Sequence, residues 1–441
     1  MSMQQKVTRR DVLRTAGLGT AGLALAACAA PVAPAGGDSA ADSAAAPAQE
    51  PVNVTLISWW NHPFRDLLPA FNDLHPDIQV EFIDSGTGYN EKVMTAMVSG
   101  SELTDIIGSQ DSNLQLWAAT GGLADISDYM EPHEDRIVPY KLTLGVYEGK
   151  NYGVPWDGSP CLMYYRRDIA EEYGFDPNTV SSYDDWLAMG EELSAASDGE
   201  VRLAGVAKND FFPWVSWTWQ LGGGIYDLEE QNVICDQPEA VRTLEFFKTY
   251  WDSDATFQNH NNWEIRGASW KDGSVAFFPG AIWVAGIVLS AAPETAGLWG
   301  VSQLPAWMEG GSRAFTYGGS QLCLLDSSKN KQEAFTFLEY SQLSQAGQEV
   351  LWTSGDLFPV LKEATDWPIL NEPVDFYGGQ VALRMYAEVN SAVNPYIFGE
   401  GWSEAWDILG QTQGRVLDGE IGTEEALAAA AQEIRELQGL G

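Results

Sequence analysis

From Val52 onward the chain alternates between two hydrophobic rhythms. Val54–Ser58 is a short apolar run that predicts a buried strand. Pro63 then opens a segment with Phe64, Leu67, Leu68, Phe71 and Leu74 inward, the 3.6-residue period of an amphipathic helix. The alternation continues. Asp77–Asp84 reads as a strand carrying Ile78, Val80 and Phe82, and Tyr89–Val98 as a helix. Thr104–Gly108 reads as a strand, and Leu114–Ala119 as a helix. Strands alternating with helices predict a mostly parallel sheet flanked by helices, with ligands beyond the carboxyl ends of the strands. Those ends are Trp59–His62 and Ser109–Asp111.

The stretch Tyr147–Asp168 changes the picture. It reads as a strand, a bend with Pro155, Asp157, Gly158 and Pro160, and a second strand over Cys161–Tyr165. Cys-Leu-Met-Tyr-Tyr has no polar alternation, which suits a strand buried on both faces. The segment reads as a passage between two lobes, or as a tight loop inside one α/β domain. Farther on, Ser182 with Asp185 marks a helix start, and Pro238–Trp251 is amphipathic through Val241, Leu244, Phe247 and Tyr250. Trp270–Gly280 reads as turn and strand before a helix near Trp283. Gln321–Leu325 is a strand, and helices are predicted over Trp402–Leu417 and Glu424–Leu437.

The first 28 residues have another character. Thr8-Arg9-Arg10-Asp11-Val12-Leu13-Arg14 looks like a twin-arginine export signal, followed by a small apolar stretch and the lipoprotein-type box Leu25-Ala26-Ala27-Cys28. Gly17, Gly19 and Gly22 match a dinucleotide fingerprint in spacing only, since no strand precedes them. Residues 29–51 are Ala, Pro, Ser and Gly with a few acids, and read as a flexible tether. Residues 1–28 hold four basic side chains and one acidic, so the remainder carries 20 basic and 61 acidic residues, net −41. Such a surface repels phosphate backbones and excludes nucleic acid as a partner.

Five blocks carry a family resemblance. Tyr147-x-Gly149-Lys150-x-Tyr152-Gly153-Val154-Pro155 is followed by Tyr164-Tyr165-Arg166-Arg167-Asp168. Next come Asp272–Phe277 with Gly280 and Trp283, then Gly318-Gly319-Ser320 leading into Asp326–Phe335. Gly355–Pro359 and the two C-terminal helices complete the set. In order and spacing the chain from 52 to 441 resembles the bacterial extracellular solute-binding proteins of the sugar (maltose-binding-like) class. Phe277 stands where that family usually has Met. The resemblance implies an α/β, two-lobed periplasmic-binding-protein-like fold with three crossings between lobes, near Trp156–Ser159, Trp270–Gly273 and Phe315–Gly319. Lobe 1 would comprise 52–156 with 271–316, and lobe 2 would comprise 157–270 with 317–441. It also implies a monomer anchored outside the cell through acylated Cys28, with no cofactor, that delivers a carbohydrate to the permease of an ATP-driven importer.

The search for catalytic chemistry is negative. The four histidines, His62, His75, His133 and His260, form no metal-ligand spacing, and there is no nucleophile elbow or phosphate loop. Ser328-Lys329-Asn330-Lys331 fits Ser-x-x-Lys in form, but a helix start explains it. Cys161, Cys235 and Cys323 allow one disulfide with a free thiol left over, Cys161 and Cys323 being the candidate pair, or three buried free thiols, which is the expectation. What remains is aromatic surface with amides and carboxylates, the set that matches the apolar faces and hydroxyl rims of sugars. The candidates are Trp60, Asn61, His62, Gln110, Asp111, Trp156, Asp157, Trp283, Tyr317 and Gly318. From the second lobe come Asn209, Phe211, Trp214, Trp217, Trp402 and Trp406. Trp186, Trp251 and Trp299 are expected in the core. Two alternatives stay open: an exported glycoside hydrolase or lyase, and a receptor for a cationic osmolyte or polyamine held by Asp111 and Asp157.

Overall fold

The computed structural model describes residues 50–229, 232–258 and 260–439. The export signal, Cys28 and all but the last two residues of the tether lie outside the described residues. Eight strands build the two main sheets: β1 (Val52–Ser58), β2 (Ile78–Asp84), β3 (Ile106–Gln110), β4 (Val154–Asp157), β5 (Cys161–Arg166), β6 (Phe277–Ala281), β7 (Trp299–Ser302) and β8 (Ser320–Leu324).

The first sheet has the order β2-β1-β3-β8-β4. β1 runs parallel to β2 and β3, while β8 is antiparallel to both β3 and β4. In the second sheet β5 lies between β6 and β7 and is antiparallel to both. That sheet continues in parallel through Arg202 beside Val275, then Ala204–Gly205 beside Thr256–Phe257. Each sheet is therefore mostly parallel with one reversed strand, β8 in the first and β5 in the second. These are the strands the chain enters straight from the other lobe. They begin at the cleft edge, where their neighbours end.

The division between lobes differs from the sequence expectation. β6 and β7, within 271–316, pair with β5 and belong to the second lobe. β8 belongs to the first, as do the helices Lys331–Leu343 and Gln345–Gly355, which pack on β1, β8 and the helix His62–Leu74. The reason is local. A strand as apolar as β5 is shielded only with a neighbour on each edge, and β6 and β7 fill both places.

The chain crosses between β4 and β5 and again between β7 and β8, at the first and last of the three expected points. The remaining one is elsewhere. Trp270 lies in the helix Trp263–Asp272, capped by Gly273 at φ 83°, and leads into a strand of the same lobe. The third passage follows the helix Gln345–Gly355 and runs through Phe358, which pairs with Gly158. Beyond it, Leu383–Ala392 packs on β5, and Trp402–Leu417 and Thr423–Leu437 pack with Pro238–Asp252.

Local sequence accounts for most elements. The helix Pro238–Asp252 buries Ala240, Thr243, Leu244, Phe247 and Tyr250 along one stripe. Ser182 and Asp185 close a reciprocal capping box on the helix Tyr183–Ala196. Cys161, Cys235 and Cys323 are free and buried, as their apolar surroundings in sequence imply. Burial pushes the Cys235 thiol up to about 12 and raises the other two thiols as well, so none is a ready nucleophile. In a Cys28→Ser chain, an aromatic disulfide reagent should therefore label none of the three within minutes, and all three in guanidinium; rapid labelling of the native protein would contradict their burial.

Candidate ligand-binding cleft

The crossings meet as adjacent backbone. Gly158 N–H donates to Phe358 O at 2.9 Å, Tyr317 N–H to Ser159 O at 3.2 Å, and Cys161 N–H to Phe315 O at 3.0 Å. Beside them β3 and β4 end where β8 begins, so that Gln110, Ser320 and Asp157 lie in a row across neighbouring strands. This edge floors a cavity of about 510 Å³ between the lobes. Trp59, Gln110, Asp111, Asp157 and Ser320 line it from the first lobe, and Phe212, Trp283, Phe398, Trp402 and Trp406 from the second. A second cavity of about 320 Å³ opens off it into the second lobe and shares Phe212, Trp283, Tyr317, Gly318 and Trp406 with the first.

The two floor carboxylates have different duties. Asp111 is buried with Lys141, whose Nζ donates to both of its oxygens at 2.8 and 2.7 Å and to Ser320 O at 3.0 Å. Gln321 Nε2 donates to Asp111 Oδ1 at 2.9 Å. Gly319 passes so close that a Cβ there would sit 2.5 Å from Asp111 Oδ2, at φ +129°. Asp111 is thus an enclosed counter-ion. Asp157 is half-buried, and its Oδ1 is sealed from solvent without a hydrogen-bond partner. Its Oδ2 accepts a long bond from Ser159 Oγ at 3.3 Å, and the neighbouring Ser320 backbone also donates toward the carboxylate. Burial pushes its carboxyl up to about 6; Lys141 opposes that rise and Asp111 adds to it. The part of this carboxylate that lines the cleft is an acceptor without an ion-pair partner among the described residues, suited to hydroxyl or N–H donors.

Aromatic faces frame this acceptor. Trp59 stays 41% exposed while resting on Trp156 and Tyr89, with ring centroids 5.1 and 5.8 Å away. Trp402 and Trp406 are one helical turn apart and share a face, with Trp406 39% exposed. Trp283 is fixed by its indole N–H, which donates to Tyr317 O at 3.1 Å.

The sequence profile of the bacterial extracellular solute-binding proteins matches residues 58–348. The chain belongs to this family. It is similar to the arabinooligosaccharide-binding protein of Halalkalibacterium halodurans, 26% identical over 341 residues, 75% of this chain and 76% of that one. It is also similar to the lactose-binding protein of Rhizobium radiobacter, 27% identical over 342 residues, 74% of this chain and 78% of that one. Among solved structures, the binding protein of B. animalis subsp. lactis in complex with β-1,6-galactobiose superposes with a TM-score of 0.70 at 22% identity, over 87% of this chain and 97% of that one. The galacto-N-biose/lacto-N-biose I-binding protein of Bifidobacterium longum gives 0.72 at 21%, over 89% and 99%. These structures share the two-lobed fold.

Within this family member, the sequence-predicted residues Gln110, Asp111, Asp157, Trp283, Tyr317, Gly318, Trp402 and Trp406 come together in the interlobe cavity, and Trp217 lines the second one. Seven others do not line either cavity. Trp156 is only 3% exposed and packs on Phe64, because its place in β4 turns it into the core. Phe211 and Trp214 are fully buried, and Asn209 packs against Gly410 and Gly414 of the helix Trp402–Leu417. Trp60 stacks edge-on to His62, whose Nε2 reaches Ser354 O at 3.0 Å. Asn61 is held by Ser58 Oγ and by Ile83 O.

Residues absent from the sequence selection include Trp59, Phe212, Asp210 and Arg266. Trp59 and Phe212 are the chain neighbours of selected residues. Adjacent side chains leave the backbone in different directions, and composition alone does not choose between them. Trp186, expected in the core, is buried and also walls the second cavity.

Two substitutions separate structural from ligand-facing roles. Lys141→Met strands a buried carboxylate and should cost about 3–5 kcal/mol, most of it recovered when Asp111→Leu is added. Trp156→Ala should cost a similar 3–5 kcal/mol by opening a core cavity. Urea unfolding of the three variants measures this; a Lys141→Met protein as stable as wild type would show that the pair is not enclosed as described.

Proposed function

We propose that the protein is the exported, monomeric receptor of an ATP-driven importer, that it binds a mono- or oligosaccharide in the interlobe cleft, and that its closed form presents the sugar to a membrane permease. The observation that carries this reading is that Asp157, a cavity-lining carboxylate held in no ion pair among the described residues, shares the cleft with the aromatic faces of Trp59 and Trp406 from opposite lobes. Flat indoles suit the apolar face of a sugar ring, and the carboxylate suits its hydroxyls. The family membership and the ligands of the relatives, arabinooligosaccharide, lactose and galactobiose, support the same class.

Receptor chemistry fits the carboxylates better than hydrolysis does. A glycosidase works with two available carboxyl groups flanking the bond. Among the described residues lining the cavities, Asp111 is paired with Lys141 and Asp210 with Arg266, which leaves Asp157. Among the described residues no helix is long and apolar enough to cross a membrane. The Cys28 box in the sequence is what supports a lipid anchor. Changing Cys28→Ser should move the protein from the membrane fraction to the soluble fraction with unchanged sugar affinity; full retention in the membrane would refute the anchor.

A thermal-shift panel of arabino-, galacto- and gluco-oligosaccharides, with choline and putrescine, tests the ligand class, and stabilisation by a cation alone would overturn it. With the responding sugar, Trp59→Ala or Trp406→Ala should weaken binding by about 5- to 150-fold, equivalent to 1–3 kcal/mol for a desolvated stacking contact.

Asp157 makes a signed prediction. Its carboxyl is raised in the fold, so the ligand-free protein takes up a proton more readily than the unfolded chain. Acidification from pH 7 to 5 should therefore favour folding through this group, and raising pH through 6 should remove that gain. Sugar binding needs the carboxylate, so affinity should fall over the same acid range. In Asp157→Asn the affinity should be weaker and nearly pH-independent between 5 and 7. A wild-type affinity flat across this range in calorimetry would exclude Asp157 from the contact.

A further inference from the structure

We infer that the 320 Å³ cavity in the second lobe is a subsite for an uncharged acyl or aryl group carried by the saccharide, rather than for a further sugar ring; the inference rests on the saccharide reading of the adjoining cleft. Position argues first. The cavity shares its mouth with the cleft at Phe212, Trp283 and Trp406, and continues inward to Trp186, Trp217 and Trp270. A substituent on a cleft-bound sugar would enter it directly.

The wall chemistry argues next. The charged side chains that face the cavity, with His260, are already engaged. Arg266 Nη2 pairs with Asp210 Oδ2 at 3.2 Å and its Nε donates to His260 O at 3.1 Å, while His260 Nε2 shares a 2.8 Å bond with Ser269 Oγ. The charges of Asp210 and Arg266 cancel. His260 is neutral, since burial pushes its imidazole down to about 4. Among the described residues, the buried side-chain atoms left without a partner on this wall are the indole N–H groups of Trp186, Trp217 and Trp270. These are donors and cannot accept. A bare pyranose would bring a rim of hydroxyls against walls that are mostly aromatic, at a loss of about tenfold in affinity for each one unmet. An acetyl, benzoyl or phenylpropanoyl ester brings the reverse, a flat apolar body and a carbonyl acceptor with no donor. Aromatic walls also suit a quaternary ammonium, but Arg266 faces the same chamber and is paired with Asp210, its one carboxylate among the described residues, so no net negative charge adds to the ring faces.

The test uses the full chain and three small probes of known chemistry: phenyl acetate, myo-inositol and tetramethylammonium, titrated by tryptophan fluorescence and saturation-transfer NMR. Phenyl acetate should bind at least tenfold more tightly than either of the others. Val284→Phe, which places a ring inside the cavity, should abolish that binding and leave the cleft sugar's affinity within threefold. If Val284→Phe does not fold, Val284→Met, which narrows the cavity with a flexible side chain, should weaken phenyl acetate several-fold and leave the cleft sugar's affinity within threefold. For whichever oligosaccharide the thermal-shift panel selects, an acetylated or phenyl-substituted form should bind about tenfold more tightly than the parent. No phenyl acetate binding at tens of millimolar, equal or tighter binding of inositol or tetramethylammonium, or a parent sugar that binds as well as its substituted form would each overturn the subsite. Phenyl acetate bound in a protein that binds no saccharide would instead remove the saccharide reading and leave the acyl site standing.

Discussion

Everything this protein does with a ligand has to pass through one constraint, the narrow band where the chain changes lobes. Gly158 sits against Asn390, where even a Cβ would approach its side-chain amide to 2.8 Å. Asn390 in turn accepts from the Tyr140 hydroxyl at 2.7 Å and donates to Pro359 O at 3.0 Å, so a first-lobe helix, a second-lobe helix and a crossing strand share one hydrogen-bonded knot. Two lobes joined this way can rotate only by torsion in a few residues next to the floor of the cleft. A ligand gripping both lobes thus acts where small backbone changes have the greatest leverage, and its differential contact with the two lobes is what biases their closure.

The same band explains how charge is used. The chain is strongly acidic, net −38, yet its one fully enclosed ion pair, among the described residues, is Lys141 with Asp111, lying under the cleft. An enclosed pair of this kind is weak evidence for stability, because desolvation offsets much of the attraction. Its effect here is local. It ties β3, β8 and the helix Pro139–Leu144 together through Ser320 and Gln321, and it partly offsets the cost of keeping Asp157 ionised nearby. Two carboxylates a short distance apart acquire different duties because one has a lysine wrapped around it and the other faces a cavity.

Aromatic residues divide in a comparable way. Trp186 and Trp217 belong both to the core and to the wall of the inner cavity, so the packing that stabilises the second lobe also shapes the chamber. Trp59 and Trp406 are spread on the surface and supported from below, Trp59 by Trp156 and Trp406 by Phe211 and Trp402. Support of this kind keeps an exposed indole in place without burying its face, which is the condition for a stacking platform that loses little entropy on binding.

What the sequence by itself determined is mainly local. Hydrophobic period, Pro and Gly placement and the Ser182–Asp185 box located the strands and helices, and the order of motifs placed the chain in its family. Strand ends pointed to Gln110, Asp111 and Asp157, since a strand's last residue lies at the sheet edge whatever its neighbours do. Helical spacing likewise placed Trp402 and Trp406 on one face. The tertiary structure decided the rest. Which of Trp59 and Trp60, or Phe211 and Phe212, meets the cleft depends on the direction in which a backbone enters its neighbours, and period alone is silent on it. That Asp111 is enclosed while Asp157 is available depends on Lys141, thirty residues away in the chain and 2.7 Å away in space. The return of β8 to the first lobe and the third crossing at Phe358 follow from edge pairing, a long-range choice made by strands competing for partners. Such choices are made among residues far apart in the chain, and so become legible only once the chain is folded.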